Sequence, residues 1–350
     1  MKKMKMKMKM KKLSIAALFL ILTATLALAG CQPKDAVEAG DGAQGPSAEL
    51  EKVTVVLDWV PNTNHTGLYV AQDLGFYEEA GLDVEIIQPA EGGSASLIAA
   101  GQGEFGISYQ EEITYARTAA EPLPVKAIAA IIQHNTSGFA SPVEKGIVTP
   151  KDFEGKKYGG WGSPAEVAML SGLMAKEGAD FDKLEMVDLG ALDFFAATKS
   201  HVDFTWIYYG WDGIAAEVNN VPINFILLQD FEENLDFYTP VIIAKEELLS
   251  ARPELAKKFL AATTKGYEYA MENPEEAVKS LLKAAPEVDE AIAVASQNYL
   301  ADQYQAEAPQ WGVMDLEIWT NYAGWMFENG LIESELEAEE AFTNDFLPKK

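Results

Sequence analysis

The sequence predicts an α/β protein of two lobes with a helical layer added toward its C-terminal end. Three observations carry that expectation. Between residues 53 and 132, short β-rich runs alternate with amphipathic helical stretches, the order that builds parallel sheets covered by helices. A second series of the same kind starts near residue 146. From Pro253 onward, strand-like runs give way to helical periodicity alone. A length of 350 residues also exceeds what one hydrophobic core normally fills.

The chain opens on alternating lysine and methionine over residues 1–12, followed by LSIAALFLILTATLAL over 13–28. A basic stretch before an apolar one is a secretory signal, and this apolar run is short for a spanning helix of about twenty residues. Leu28-Ala29-Gly30-Cys31 then matches the bacterial lipobox pattern, in which the chain is cut before the cysteine and its thiol is lipidated. Residues 1–30 are therefore expected to be a removed signal peptide, with Cys31 as a lipid-anchored N-terminus. Residues 31–52 are rich in Gly, Ala and acids and read as a flexible tether. One such anchor holds a protein on a membrane without spanning it.

The body then unfolds in order. VTVVL (53–57) is valine-rich and extended. Residues 67–80 carry apolar positions at helical spacing and end before Gly81, suited to a C-cap. Strands are expected at 82–87, 105–108 and 125–132, with a helix at 94–100; the near-continuous apolar run at 125–132 fits a strand buried on both faces. In the second series, strands are expected at 157–159, 183–189, 202–207 and 224–228, and a helix from Ser163 through Lys176. The run at 241–244 is expected to return to the first lobe. Pro253, with Leu255, Phe259 and Leu260 on one face, opens the helical layer, which continues at 275–285 and 317–329. The domain assignment is thus lobe I at 53–141 and 238–350, and lobe II at 142–237.

Charge narrows the function. Seven of the 27 basic residues stand in the first twelve positions; without them, 20 basic residues face 54 acidic ones, a net charge of −34. Phosphate binding needs a basic stripe, so nucleic acid is excluded as a partner. Hydrophobic content of 48% excludes a disordered chain. The single cysteine excludes an intrachain disulfide.

Candidate binding residues cluster at expected carboxyl ends of strands, where open α/β sheets hold ligands. LDWVPNTNHTG (57–67) offers Asp58, Trp59, Asn62 and His65; Asn64 or Thr66 equally suits a helix cap, and a lone histidine is more often structural than ligating. GISYQEE (106–112) offers Tyr109 and Glu111, although two acids after a strand also simply open a helix. GGWGSPAE (159–166) offers Trp161 and Glu166; Ser163 with Glu166 is also a capping box. TWIYYGWD (205–212) offers Trp206 and Tyr208, which share one face of a strand. Tyr238 lies at the expected return crossing. Indole faces beside carboxylates and carboxamides suit a flat, nitrogen-rich, neutral or cationic ligand. No phosphate-binding loop, nucleophile elbow or metal-ligand spacing of His65, His134 and His201 occurs.

LDWVPNTNHTGLYVAQDLGFYEEAGLDVEI resembles the opening of the NMT1/THI5-like group, and within it the bacterial thiamine-precursor-binding lipoproteins. The resemblance continues through GEFGISYQEE, IIQHNTSG, YGGWGSPAE, WIYYGW, YTPV and AFTNDFL, over roughly residues 53–348. It implies a type II periplasmic-binding-protein fold with an interlobe cleft. It also implies a non-enzymatic receptor of an ABC importer that binds without a cofactor and hands its ligand to a membrane permease. The implied ligand is an aminopyrimidine precursor of thiamine, such as N-formyl-4-amino-5-aminomethyl-2-methylpyrimidine. Related members bind riboflavin or sulfonates. Another branch is an enzyme that builds the pyrimidine from its own histidine and pyridoxal phosphate. Where that branch has lysine and histidine in Gly-Leu-Lys-x-x-x-His, this chain has Ser108 and Glu112. Where that branch has a cysteine-rich iron motif, near 235–239, this chain has no cysteine.

Overall fold

The computed structural model describes residues 49–88, 93–190 and 192–349. The expected signal peptide, Cys31 and all but the end of the expected tether lie outside the described residues. Two five-stranded sheets organise the body. The first contains β1 (Glu51–Val56), β2 (Leu82–Ile87), β3 (Phe105–Ser108), β4 (Val125–Ala130) and β10 (Val241–Lys245), in the order β2-β1-β3-β10-β4. The second contains β5 (Ser137–Pro142), β6 (Lys157–Gly160), β7 (Glu185–Asp188), β8 (Phe204–Tyr208) and β9 (Ile223–Leu227), in the order β7-β6-β8-β5-β9. Neither sheet is purely parallel. β10 runs antiparallel between β3 and β4, and β5 runs antiparallel between β8 and β9.

β5 corrects the expected lobe boundary. The strand pairs wholly within the second sheet, so a division after residue 141 cuts through it. Its sequence, SGFASP, shows no apolar alternation because all six residues are buried. Gly138 is required there: a Cβ would lie 2.3 Å from the Ile226 carbonyl oxygen across the ladder. The chain therefore crosses between sheets at residues 131–136 and returns at 235–240.

Helices of eight or more residues are labelled α1 (Thr66–Asp73), α2 (Gln110–Thr118), α3 (Pro164–Lys176), α4 (Pro253–Glu272), α5 (Pro274–Ala284), α6 (Glu290–Ala301) and α7 (Leu316–Glu328). The single helix expected over 67–80 is broken. Gly75 adopts φ +78°, which ends α1, and a short turn Phe76–Glu79 follows. α4 begins with proline at its first turn and buries Leu255, Phe259 and Leu260 against the first sheet. Phe259 stacks on Phe105 of β3 at 4.0 Å, and truncating so enclosed an aromatic costs about 3–5 kcal/mol. The second lobe closes on Phe139, Phe153, Tyr158 and Phe204, with Phe153 and Phe204 stacked at 4.3 Å.

α6 was not expected from sequence, and it joins the lobes together with α7. Ser296 of α6 accepts from the Thr63 hydroxyl at 2.6 Å and donates to the Gly210 carbonyl just beyond β8. α7 buries Tyr322, Trp325 and Met326 in the second lobe's core, while its Trp319 packs with Val241 and Ile243 of β10.

Candidate functional site

After β1, residues 57–62 turn sharply into the 3-10 turn Thr63–His65. Asn62 caps that turn: its side-chain oxygen accepts from Asn64 N–H at 2.9 Å. Asn62 N–H donates to His65 Nδ1 at 3.3 Å, so the opposite nitrogen, Nε2, carries the proton and meets Asp58 Oδ1 at 2.8 Å. Tyr267 and Tyr304 pin the turn from below by donating to the Asn64 and Thr63 carbonyls at 2.7 and 2.6 Å. Gly67 makes this possible, since a Cβ there would sit 2.3 Å from the Tyr267 ring. The result is a rigid platform with Asp58 held in place and Trp59, 59% exposed, presented outward. His65 is fully buried with both ring nitrogens occupied. It supports Asp58 from beneath, and Asn62 is a cap.

Tyr109 follows β3, and its ring is partly exposed. Glu111, in the first turn of α2, accepts from the Tyr322 hydroxyl at 3.0 Å. Burial pushes the Glu111 carboxyl up to about 7; the Tyr322 bond opposes this, while Glu166 and Glu112 add to it. Glu112 is raised for the same leading reason, although Ser108 donates to it at 2.5 Å.

In the second lobe, β6 ends in Gly159-Gly160, and the chain turns through Trp161 into α3. Ser163 caps α3 by accepting from Ala165 N–H at 3.2 Å. Glu166 completes the box and does more. Its oxygens accept from the Tyr158 hydroxyl at 2.5 Å, Ser163 N–H at 2.7 Å and Trp161 N–H at 3.2 Å. Glu166 is fully buried, and a Cβ at Gly160 would fall 1.8 Å from its Oε1. It thus shapes the loop from inside. That loop holds Trp161 half exposed and stacked on Trp206 at 5.2 Å. Trp206 is 8% exposed, and its Nε1 has no hydrogen-bond partner among the described residues.

Tyr208 brings the two halves together electrostatically. It ends β8 with its ring 39% exposed. Burial of its hydroxyl pushes it up to about 12, opposed by a bond with Thr239 and reinforced by Glu111 and Asp58 of the first lobe and Asp212 of the second. Tyr109 feels Glu112, Tyr208, Glu111 and Asp58 in the same sense. Asp212 is raised to about 6, chiefly by burial. Every charge acting on Tyr109, Tyr208, Glu111, Glu112 and Asp212 is acidic. The strand ends of β1, β3, β6 and β8 thus gather acidic and aromatic side chains from both lobes into one group whose members act on each other.

Tyr238 lies elsewhere. It is buried in the return crossing, where its hydroxyl accepts from Asp315 N–H at 2.8 Å and its N–H donates to Gln110 Oε1 at 2.9 Å. Sequence reasoning did not single out Asp212, Glu112 or Tyr322, which the structure brings into the same cluster. For Asp212 the signal was its place just past β8; for Tyr322, on a distant helix, no local signal existed.

The NMT1/THI5-like family model matches residues 62–277. The formylaminopyrimidine-binding protein of Halalkalibacterium halodurans is 27% identical over 332 residues, spanning 91% of this chain and 95% of that protein. The 4-amino-5-hydroxymethyl-2-methylpyrimidine phosphate synthase of Legionella pneumophila is 26% identical over 250 residues, spanning 69% and 76%. Among solved structures, the periplasmic aliphatic sulphonate binding protein SsuA from Escherichia coli superposes with a TM-score of 0.66 at 14% identity, covering 86% of this chain and 94% of that one. This chain has the two-lobed periplasmic-binding-protein fold and belongs to the NMT1/THI5-like family.

Proposed function

We propose that the protein is an extracytoplasmic solute receptor, lipid-anchored at Cys31, that captures a thiamine pyrimidine precursor and delivers it to an ABC permease. The observation that carries this is the gathering of aromatic and acidic side chains from both lobes. Exposed indoles follow β1 and β6 on opposite lobes, and Asp58 and Glu111 of one lobe act on Tyr208 of the other. A flat aminopyrimidine stacks on the indoles; its amino group donates to a carboxylate, and a carboxyl that keeps its proton, as the raised Glu111 does, can donate to a ring nitrogen. The unpaired Trp206 Nε1 adds a buried donor at the indole pair. The relative named for binding a formylaminopyrimidine supports this choice of ligand.

The synthase relative raises the enzymatic alternative. The residues do not favour it here: Ser108 and Glu112, which bond each other, stand where that branch has its lysine and histidine. The receptor reading binds and releases without making or breaking a bond.

Tryptophan fluorescence and thermal shift with N-formyl-4-amino-5-aminomethyl-2-methylpyrimidine, its free amine and riboflavin test the ligand, together with mass spectrometry of anything co-purified. Quenching and stabilisation by a pyrimidine are expected. A response to riboflavin alone reassigns the ligand. Turnover of the bound pyrimidine overturns the receptor reading.

A further inference from the structure

His134 is not among the candidate binding residues; both its ring nitrogens are engaged by carboxylates, and it occupies the first crossing between the lobes. Its Nδ1 meets Asp236 Oδ2, on the return crossing, at 2.7 Å. Its Nε2 meets both oxygens of Glu307, in the loop after α6, at 3.0 Å. The other oxygen of Asp236 accepts from Asn135 N–H at 2.9 Å. The Asn135 side chain then ties the same two crossings again: its Nδ2 donates to the Leu235 carbonyl at 2.7 Å, and its Oδ1 accepts from Ser137 N–H at 2.9 Å. One imidazole therefore links three segments that carry the chain between lobes or overlie that passage.

We propose that His134 is a hinge clamp: as an imidazolium it holds both crossings to the loop after α6 and so sets how freely the two lobes reorient. Both ring nitrogens face carboxylates, and only the protonated ring can donate to two acceptors at once. Asp236 and Glu307 are the charges that act on it, and they raise it from the ordinary 6.5 to about 9 against the opposing effect of burial. Beyond them stand Tyr238 and Asp315, both felt within the same cluster. The sign follows from the direction. A histidine raised in the folded state contributes stability that is complete below about 6.5 and is lost as pH rises through about 9. The clamp is thus closed at neutral pH and opens in alkali.

The test needs no ligand, so its outcome is independent of whether a pyrimidine binds. The full chain is followed by imidazole NMR titration and by amide exchange, corrected for its intrinsic pH dependence, at Asn135 in the hinge and at Ala140 in the core of β5. Asn135 protection is expected to fall about tenfold between pH 7 and pH 9.5, with the midpoint of the His134 titration, while Ala140 stays unchanged. His134→Gln is expected to abolish the pH dependence at Asn135. Glu307→Gln alters an exposed side chain that leaves the core intact, and it is expected to lower the midpoint. A His134 midpoint near the ordinary value overturns the proposal, as does a pH dependence at Asn135 that survives in His134→Gln. So does a parallel fall at Ala140, which would mean general loosening instead of hinge release.

Discussion

Glu111 stands where the first turn of α2 meets the second lobe, with Tyr322 donating to one of its oxygens. A carboxyl lifted from 4.5 to about 7 in the folded state keeps its proton where the unfolded chain has lost it. Stability therefore declines as pH rises between those two values and levels off above about 7. The contribution is on the order of 1–3 kcal/mol. Glu111→Gln keeps an acceptor for Tyr322 without the charge, so its melting temperature should lose this pH dependence and exceed that of the parent at pH 8. Identical melting profiles for the two proteins from pH 5 to pH 8 would contradict the assignment. The same residue shows how far sequence reaches. Adjacent acids after a strand mark a helix start, and they do so here. That one of them meets a tyrosine more than two hundred positions away is a property of packing. His65 and Tyr238 make the reverse point. Both sit in motifs rich in binding-competent residues, yet each turns inward: His65 into its own turn, where Asp58 and Asn62 claim both ring nitrogens, and Tyr238 toward Gln110 and Asp315, which become its neighbours only on folding.

At the scale of elements, the loop between β6 and α3 depends on one buried carboxylate. Glu166 satisfies the Trp161 and Ser163 amides and the Tyr158 hydroxyl, for which no other acceptor is seen among the described residues. Glu166→Ala leaves three donors without their acceptor and should cost about 3–5 kcal/mol in denaturant unfolding. Because Trp161 hangs from the same loop, ligand affinity should fall in step with stability. A variant that loses affinity while keeping its unfolding midpoint would make Glu166 a direct ligand contact instead. The capping box was legible from Ser163 and Glu166 alone, since it is local in sequence. Most strands of the two series were legible for a similar reason: valine-rich or alternating runs report their own environment. β5 was not, because a strand buried on both faces and crowded by β9 needs Ser, Gly and Ala where a pattern would show large apolar residues. α6 escaped as well, since its buried face carries Ala293, Ser296 and Gln297 with Leu300 as its one large apolar residue. Small and polar residues fit there because the helix packs closely against the turn after β1 and the turn after β8.

A receptor that captures its ligand between lobes must bring two half-sites together, and that can be tested without a second structure. Trp59 follows β1 of one sheet, and Trp161 follows β6 of the other, so neither depends on the other for folding. Trp59 is largely exposed, and alanine there should change stability by less than about 0.5 kcal/mol; Trp161 is half exposed and stacks on Trp206, so alanine there should cost about 0.5–1.5 kcal/mol. If a planar heterocycle is held between the lobes, each indole supplies stacking of about 1–3 kcal/mol only once the other lobe has closed on the ligand. Removing one then devalues the other. Trp59→Ala and Trp161→Ala should each weaken pyrimidine binding by about tenfold or more. The double variant should lose less than the sum of the two, with a coupling of about 0.5–3 kcal/mol in binding and none in unfolding. Calorimetric titration of the four proteins, paired with their denaturation curves, measures both quantities. Strict additivity in binding would place the ligand on one lobe alone and leave closure without a role in capture. Coupling in unfolding would show that the indoles already interact in the empty protein. Coupling confined to binding is the outcome that a hinged receptor requires, because only the ligand connects the two rings.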